Sequence, residues 1–175
     1  MKRIASQCVI CSPTDIRYNS VVELSDSNVV QRIFPLNENQ SEPANTLFFD
    51  GIISLPVLSL IESGFQWTDQ SEPEYQLISL FGKSIDAAYI SSNKKIIIDF
   101  GTTDITTINN LISDNYAFFQ QFSFSDIIIA CTCAPALLLN KTHELKPDIT
   151  TQLILWEKVD FSVKKLSKYS KISVI

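Results

Sequence analysis

The residues able to do chemistry fall in a few places along the 175-residue chain. Asp99, Thr102, Thr103 and Asp104 follow an apolar run at 95–100 and precede a helical pattern. The end of a buried strand before a helix N-terminus is where α/β proteins place ligands, and helix amides attract anions. These four residues are therefore the candidate ligand-binding group, with helix capping by Thr103 or Asp104 as the competing role. Cys8-x-x-Cys11 and Cys131-x-Cys133 carry the residue type of a redox or zinc site. On a strand, positions three apart face opposite sides; on a helix, positions two apart diverge by about 200°. Both pairs are thus expected to be buried thiols that pack as small hydrophobes. His143 sits in Asn-Lys-Thr-His-Glu, between an expected helix and an expected strand. Nothing ties a serine or cysteine nucleophile to it, so it is expected to be a solvated loop residue. No catalytic residue, metal ligand or cofactor is assigned.

Composition narrows the chemistry further. His143 is the only histidine, which removes multi-histidine zinc centres and the two-histidine iron triad. The 4 glycines leave little room for glycine-rich phosphate loops. A formal net charge of −5 argues against nucleic acid or an anionic membrane as partner. No apolar stretch follows the basic start Met1-Lys2-Arg3, and the longest apolar run, 127–131, is short of the roughly 20 residues a membrane span needs. The expected location is therefore the cytoplasm, with all 4 cysteines reduced. With 45% hydrophobic residues the chain is expected to bury a core without disulfides.

The elements that must position these residues follow from periodicity and turn chemistry. Small and β-branched residues at 3–11 read as a strand, and 21–24 and 29–34 as a hairpin around Ser25-Asp26-Ser27-Asn28. Residues 47–53 read as another strand. The polar stretches 37–45 and 68–74 read as loops. Leu77, Leu80, Phe81, Ile85 and Ala88 lie close to helical spacing, so a helix is expected over 75–90. Residues 95–100 read as a buried strand. A helix is expected over 105–122, with Asn115 off its apolar pattern. Ser123 with Asp126 resembles a capping box, Pro135 marks the first turn of a new helix, and Asn140 is a left-handed cap for its end. Strands are expected at 152–156 and 171–175. The lysines at 158, 164, 165, 168 and 171 suit a solvated or edge strand. Tyr116, Phe118, Phe119, Phe122 and Phe124 form a stripe expected to lie in the core or under a second subunit.

Four stretches resemble the metal-dependent amidohydrolases. Residues 2–36 are similar to that family's first sandwich strands. FDGIISLP at 49–56 is similar to the strand leading into its proline-glycine turn. CTCAPALLLN at 131–140 resembles the late Thr-x-Asn-Pro-Ala-x-x-Leu-Gly helix. LKPDITTQLIL at 145–155 resembles Ile-x-Pro-Gly-x-x-Ala-Asp-Leu-Val. A fainter likeness runs over 97–107, to the Gly-Thr-Asp-Ser stretch at the last barrel strand of the deaminase-like branch. The resemblance implies an α/β (α+β) protein with a small β-sandwich built from both chain termini, at 1–66 and 141–175. A compact α/β remnant at 67–140 would stand in place of the (β/α)8 barrel. The stretch 67–140 between the two sandwich parts is 74 residues, and a barrel takes roughly 200.

The departures from the family are chemical. Its metal is held by a His-x-His pair after the proline-glycine turn, further histidines and a last-strand aspartate. Here Ile61 and Ser63, or Pro56 and Leu58 in a shifted alignment, stand at the His-x-His positions. Asp104 takes the place of the last-strand aspartate only with one extra threonine. Asn140 and Asp148 stand where the family has glycine, and Gln152 where it has aspartate. The resemblance thus implies a pseudoenzyme: a binding, assembly or regulatory module, acting as a homodimer or beside a full-length amidohydrolase. The alternative is a small metal-independent hydrolase or ligand-binding protein using 99–104.

Overall fold

The computed structural model describes residues 1–37, 45–67, 74–80 and 93–175. The protein is α+β and mainly β, with no (β/α)8 barrel among its described elements. Strand β1 (Lys2–Ser12) turns at 13–14 into β2 (Asp15–Leu24), which pairs with it antiparallel. Ser25 closes the next turn, accepting from the Asn28 amide through its carbonyl and from the Val29 amide through its hydroxyl. Asn28 takes φ 59° there, a left-handed conformation that asparagine tolerates. The chain returns as β3 (Val30–Pro35), then continues as β4 (Thr46–Ser54). Near the other end of the chain, β7 (Ile154–Asp160) and β8 (Lys165–Val174) form a hairpin. All six strands share one mixed sheet in the order β3-β2-β1-β4-β7-β8. The β1–β4 pair is parallel and β4–β7 antiparallel, so strands from both chain ends meet at the sheet centre.

One face of this sheet carries an apolar cluster that includes Ile4, Val9, Val22, Leu24, Ile53 and Leu155. Ile4 and Val9 differ in parity, yet both belong to it, because the β1–β4 register shifts between Ser6 and Cys8. Ala5, Val21 and Phe34 form a separate cluster. β8 is an outermost strand, where exposed Lys168 and Lys171 fit the expected edge protection.

The second set of elements starts with β5 (Tyr75–Ser79) and β6 (Lys95–Asp99), a two-stranded parallel sheet. The helix expected over 75–90 is therefore wrong at its start. Tyr75 to Ser79 pair residue for residue with Lys95 to Asp99, and this ladder outweighs a loose helical spacing. Residues 81–90 of that helix lie outside the described residues. Four helices follow: α1 (Ile105–Asp114), α2 (Tyr116–Phe119), α3 (Phe124–Cys131) and α4 (Cys133–Leu138). The single helix expected over 105–122 breaks at Asn115, the residue that spoiled its apolar pattern. Both the backbone amide and the side-chain nitrogen of Asn115 donate to the Leu111 carbonyl, at 3.1 and 2.9 Å. A side chain that competes for helix carbonyls ends the helix there. Ser123 and Asp126 make the expected capping box. Pro135 is the third residue of α4, within its first turn, where a missing N–H costs nothing. None of the described helices is long and apolar enough to cross a membrane.

The chain divides into two compact units. One comprises Met1–Pro56, Glu144–Lys158 and Ile172–Ile175; the other Val57–His143 and Val159–Lys171. Residues 57–66, 141–143 and 159–171, expected with the first lobe, group with the second unit.

Candidate functional site

Asp99, Thr102, Thr103 and Asp104 lie where β6 gives way to α1, all within the second unit. Asp99 ends the buried half of β6 and is fully buried. A buried carboxylate is costly unless hydrogen-bonded, and this one is. Its Oδ1 accepts from the Gly101 amide at 2.8 Å and its Oδ2 from the Ile61 amide at 3.1 Å. Its backbone carbonyl accepts from the Leu80 amide at 2.9 Å. Gly101 has φ 71°, which lets the chain turn sharply enough for its amide to point back at Asp99.

The other three residues do local work. The Thr102 hydroxyl accepts from the Asp104 amide at 3.0 Å. Asp104 is the N-cap of α1: its Oδ2 accepts from the Thr107 amide at 2.8 Å. Hydrogen bonds from the Thr107 side chain and backbone hold the Asp104 carboxyl below its ordinary value. The Thr103 hydroxyl donates to Glu62 Oε2 at 2.8 Å, and this bond holds the exposed Glu62 carboxyl low as well. The structure thus brings the four expected residues together and adds Glu62, which the sequence pattern did not single out. Glu62 lies 41 positions from Thr103, so no local spacing could have revealed it.

The arrangement is a fastening. Asp99 and Glu62 tie the turn at 59–64 to the end of β6, while Asp104 starts α1. Among the described residues, no three His, Cys, Asp or Glu side chains converge as metal ligands would. No family model, curated protein or solved structure matches the chain.

The cysteines sit in the environment expected of packed thiols. None of the four forms a disulfide, and all four are buried. Burial, with a smaller effect from Cys11, pushes the Cys8 thiol up to about 12. Burial raises the Cys131 thiol too. A thiol in such surroundings is a poor nucleophile and a poor metal ligand. The backbone carbonyl of His143 receives the Cys133 thiol at 3.6 Å.

Proposed function

We propose that this protein is a non-catalytic, amidohydrolase-like module of the cytoplasm that binds, assembles or regulates, with a shortened α/β remnant in place of a barrel. The observation that carries this reading is the bond from the Ile61 amide to Asp99. The resemblance puts the family's His-x-His pair within 56–63 and an aspartate at the end of the last barrel strand. In this chain a strand-end aspartate does reach that segment, and the residue is Asp99, not Asp104. It meets backbone N–H groups there, and Ile61 and Ser63 offer no imidazole or carboxylate. Zinc and iron need several such ligands, so the residues present do not fit the metal centre that the resemblance implies.

Two backbone conformations support the same reading. Asn140 has φ 51° and Asp148 has φ 69°, at the two places where the resemblance puts glycine. Left-handed backbone favours glycine, and Asn and Asp are the residues that replace it at least cost. The turns remain while the glycines are gone. The sharing of one sheet by both chain ends adds a third point of likeness. The alternative, a metal-independent hydrolase built on 99–104, draws no support from Asp99, whose two oxygens already serve backbone amides.

A panel of amide and nucleobase-like substrates, assayed with and without added zinc or iron, tests this. No turnover above the buffer blank is expected. Turnover that disappears in Asp99→Asn, with folding retained by circular dichroism, would overturn it.

A further inference from the structure

The formal charge of −5 averages over an uneven chain. Residues 159–171, which belong to the second unit, hold 4 lysines against 1 aspartate. That leaves 10 of the 14 basic residues and 18 of the 19 acidic ones to the rest of the chain. The aspartate is spent on its own turn. Asp160 Oδ1 accepts from the Ser162 amide at 3.0 Å, the Ser162 hydroxyl at 2.6 Å and the Val163 amide at 3.3 Å. Among the described residues, no carboxylate forms an ion pair with Lys164, Lys165 or Lys168.

The helices of the second unit hold this hairpin in shape. Lys164, in the turn from β7 into β8, has φ 54°. Its carbonyl accepts from the Phe124 amide at 2.9 Å, and the Leu166 carbonyl from Gln120 Nε2 at 2.5 Å. Phe161 packs edge-on against Phe124. Alternation along β8 sets Lys165, Tyr169 and Lys171 on one side, opposite the buried Leu166, Ser170 and Ile172. Tyr169 is 63% exposed, and Val163, in the turn, is 60% exposed. The Lys168 ammonium lies 4.8 Å from the centre of the Tyr169 ring, which brings a third lysine to the same side.

We infer that this side of the hairpin docks on an anionic phospholipid bilayer. Net charge argues against such a partner for the chain as a whole; the local excess of lysine argues for it at this one side. At physiological salt the Debye length is about 8 Å, so the hairpin meets the surface through its own charge while more distant carboxylates are screened. Val163 supplies an apolar contact, and Tyr169 is a residue type that settles at headgroup level. Two other partners fit less well. An added β-strand needs open backbone groups. Here the Ser167 amide donates to Ser170 Oγ at 2.8 Å and the Tyr169 amide to Ser167 Oγ at 3.1 Å, while the helices occupy the carbonyls of Lys164 and Leu166. Single-stranded nucleic acid stacks its bases on aromatic rings, and Lys168 covers one face of Tyr169. Neither partner makes use of an exposed valine in the turn. Bilayer docking does not depend on the chain being amidohydrolase-like.

Co-sedimentation of the full chain with sucrose-loaded vesicles at physiological salt tests the inference. The protein is expected to sediment with vesicles of equal phosphatidylcholine and phosphatidylserine, and not with phosphatidylcholine alone. Raising the salt to about 1 M, where the Debye length falls to about 3 Å, should release it. Lys165→Gln and Lys168→Gln should each weaken binding about fivefold, the effect of one basic residue near an anionic surface. Val163→Ser should weaken it as well, and Lys146→Gln, in the first unit, not at all. Circular dichroism reports whether each variant is folded. No binding to the mixed vesicles, equal binding to both vesicle types, or unchanged binding of a folded Lys165→Gln/Lys168→Gln double variant would overturn the inference. So would tighter binding of polyglutamate or a single-stranded oligonucleotide than of the mixed vesicles at equal charge concentration.

Discussion

Gly51 shows how closely the central strands meet. It pairs with Glu157 across the β4–β7 ladder, and a Cβ built on it would overlap the Trp156 carbonyl oxygen. That oxygen is backbone and cannot swing aside as a side chain could. Gly51→Ala is expected to cost about 3 kcal/mol, the upper end for overpacking, measured by urea unfolding. Cys8 makes a second prediction. Its thiol has an ordinary value of 9.0 and is raised to about 12 by burial. A folded value above the unfolded one means that the native state holds the proton more tightly. The contribution of Cys8 is thus complete below pH 9 and fades as the pH climbs from 9 toward about 12. Urea midpoints measured from pH 8 to 11.5 should fall across that window, and fall less in Cys8→Ala. Single residues were legible where their chemistry was local. The capping box of Ser123 and the burial of the cysteines needed only neighbouring sequence. The roles of Asp99 and Glu62 did not show, since their partners lie 38 and 41 positions away.

The turn at the end of α4 gives the proposed likeness to amidohydrolases a form that mutation can read. At the end of α4, the Asn140 amide donates to the Leu137 carbonyl and the Lys141 amide to the Ala136 carbonyl. These two bonds, around a left-handed residue, make a Schellman cap. Asn140→Gly should leave the cap intact and raise stability by up to about 1 kcal/mol, because glycine removes the Cβ strain. Asn140→Ala should lower stability by about 1 kcal/mol. Thermal or urea unfolding of the pair separates a required left-handed turn from a tolerated one. Equal effects of the two substitutions would show that this turn is not required. Where elements were misread, a long-range pairing or a competing side chain was responsible. Leu77 and Leu80 suggest a helix by spacing, but the ladder to 95–99 makes Tyr75–Ser79 a strand. Asn115 breaks its helix by reaching back to Leu111, an effect that hydrophobic periodicity does not register.

The two chain ends share a sheet, and this arrangement was legible in the order of the expected elements, with strands read near both ends of the chain. The resemblance suggested two stacked layers in that lobe, whereas the strands form one mixed sheet of six. Sheet topology depends on which strands find each other, and alternating patterns do not encode that choice. The division of the chain likewise depends on packing, which groups 57–66, 141–143 and 159–171 with the second unit. In the proposed reading, the carboxylate of Asp99 holds the Ile61 and Gly101 amides where the family would need a metal ligand. Metal content of the purified protein, expressed in zinc- and iron-supplemented medium without an affinity tag, tests it most directly by plasma mass spectrometry. Far less than one zinc or iron per chain is expected, unchanged in Asp99→Asn. One tightly held metal per chain, lost in Asp99→Asn, would contradict it.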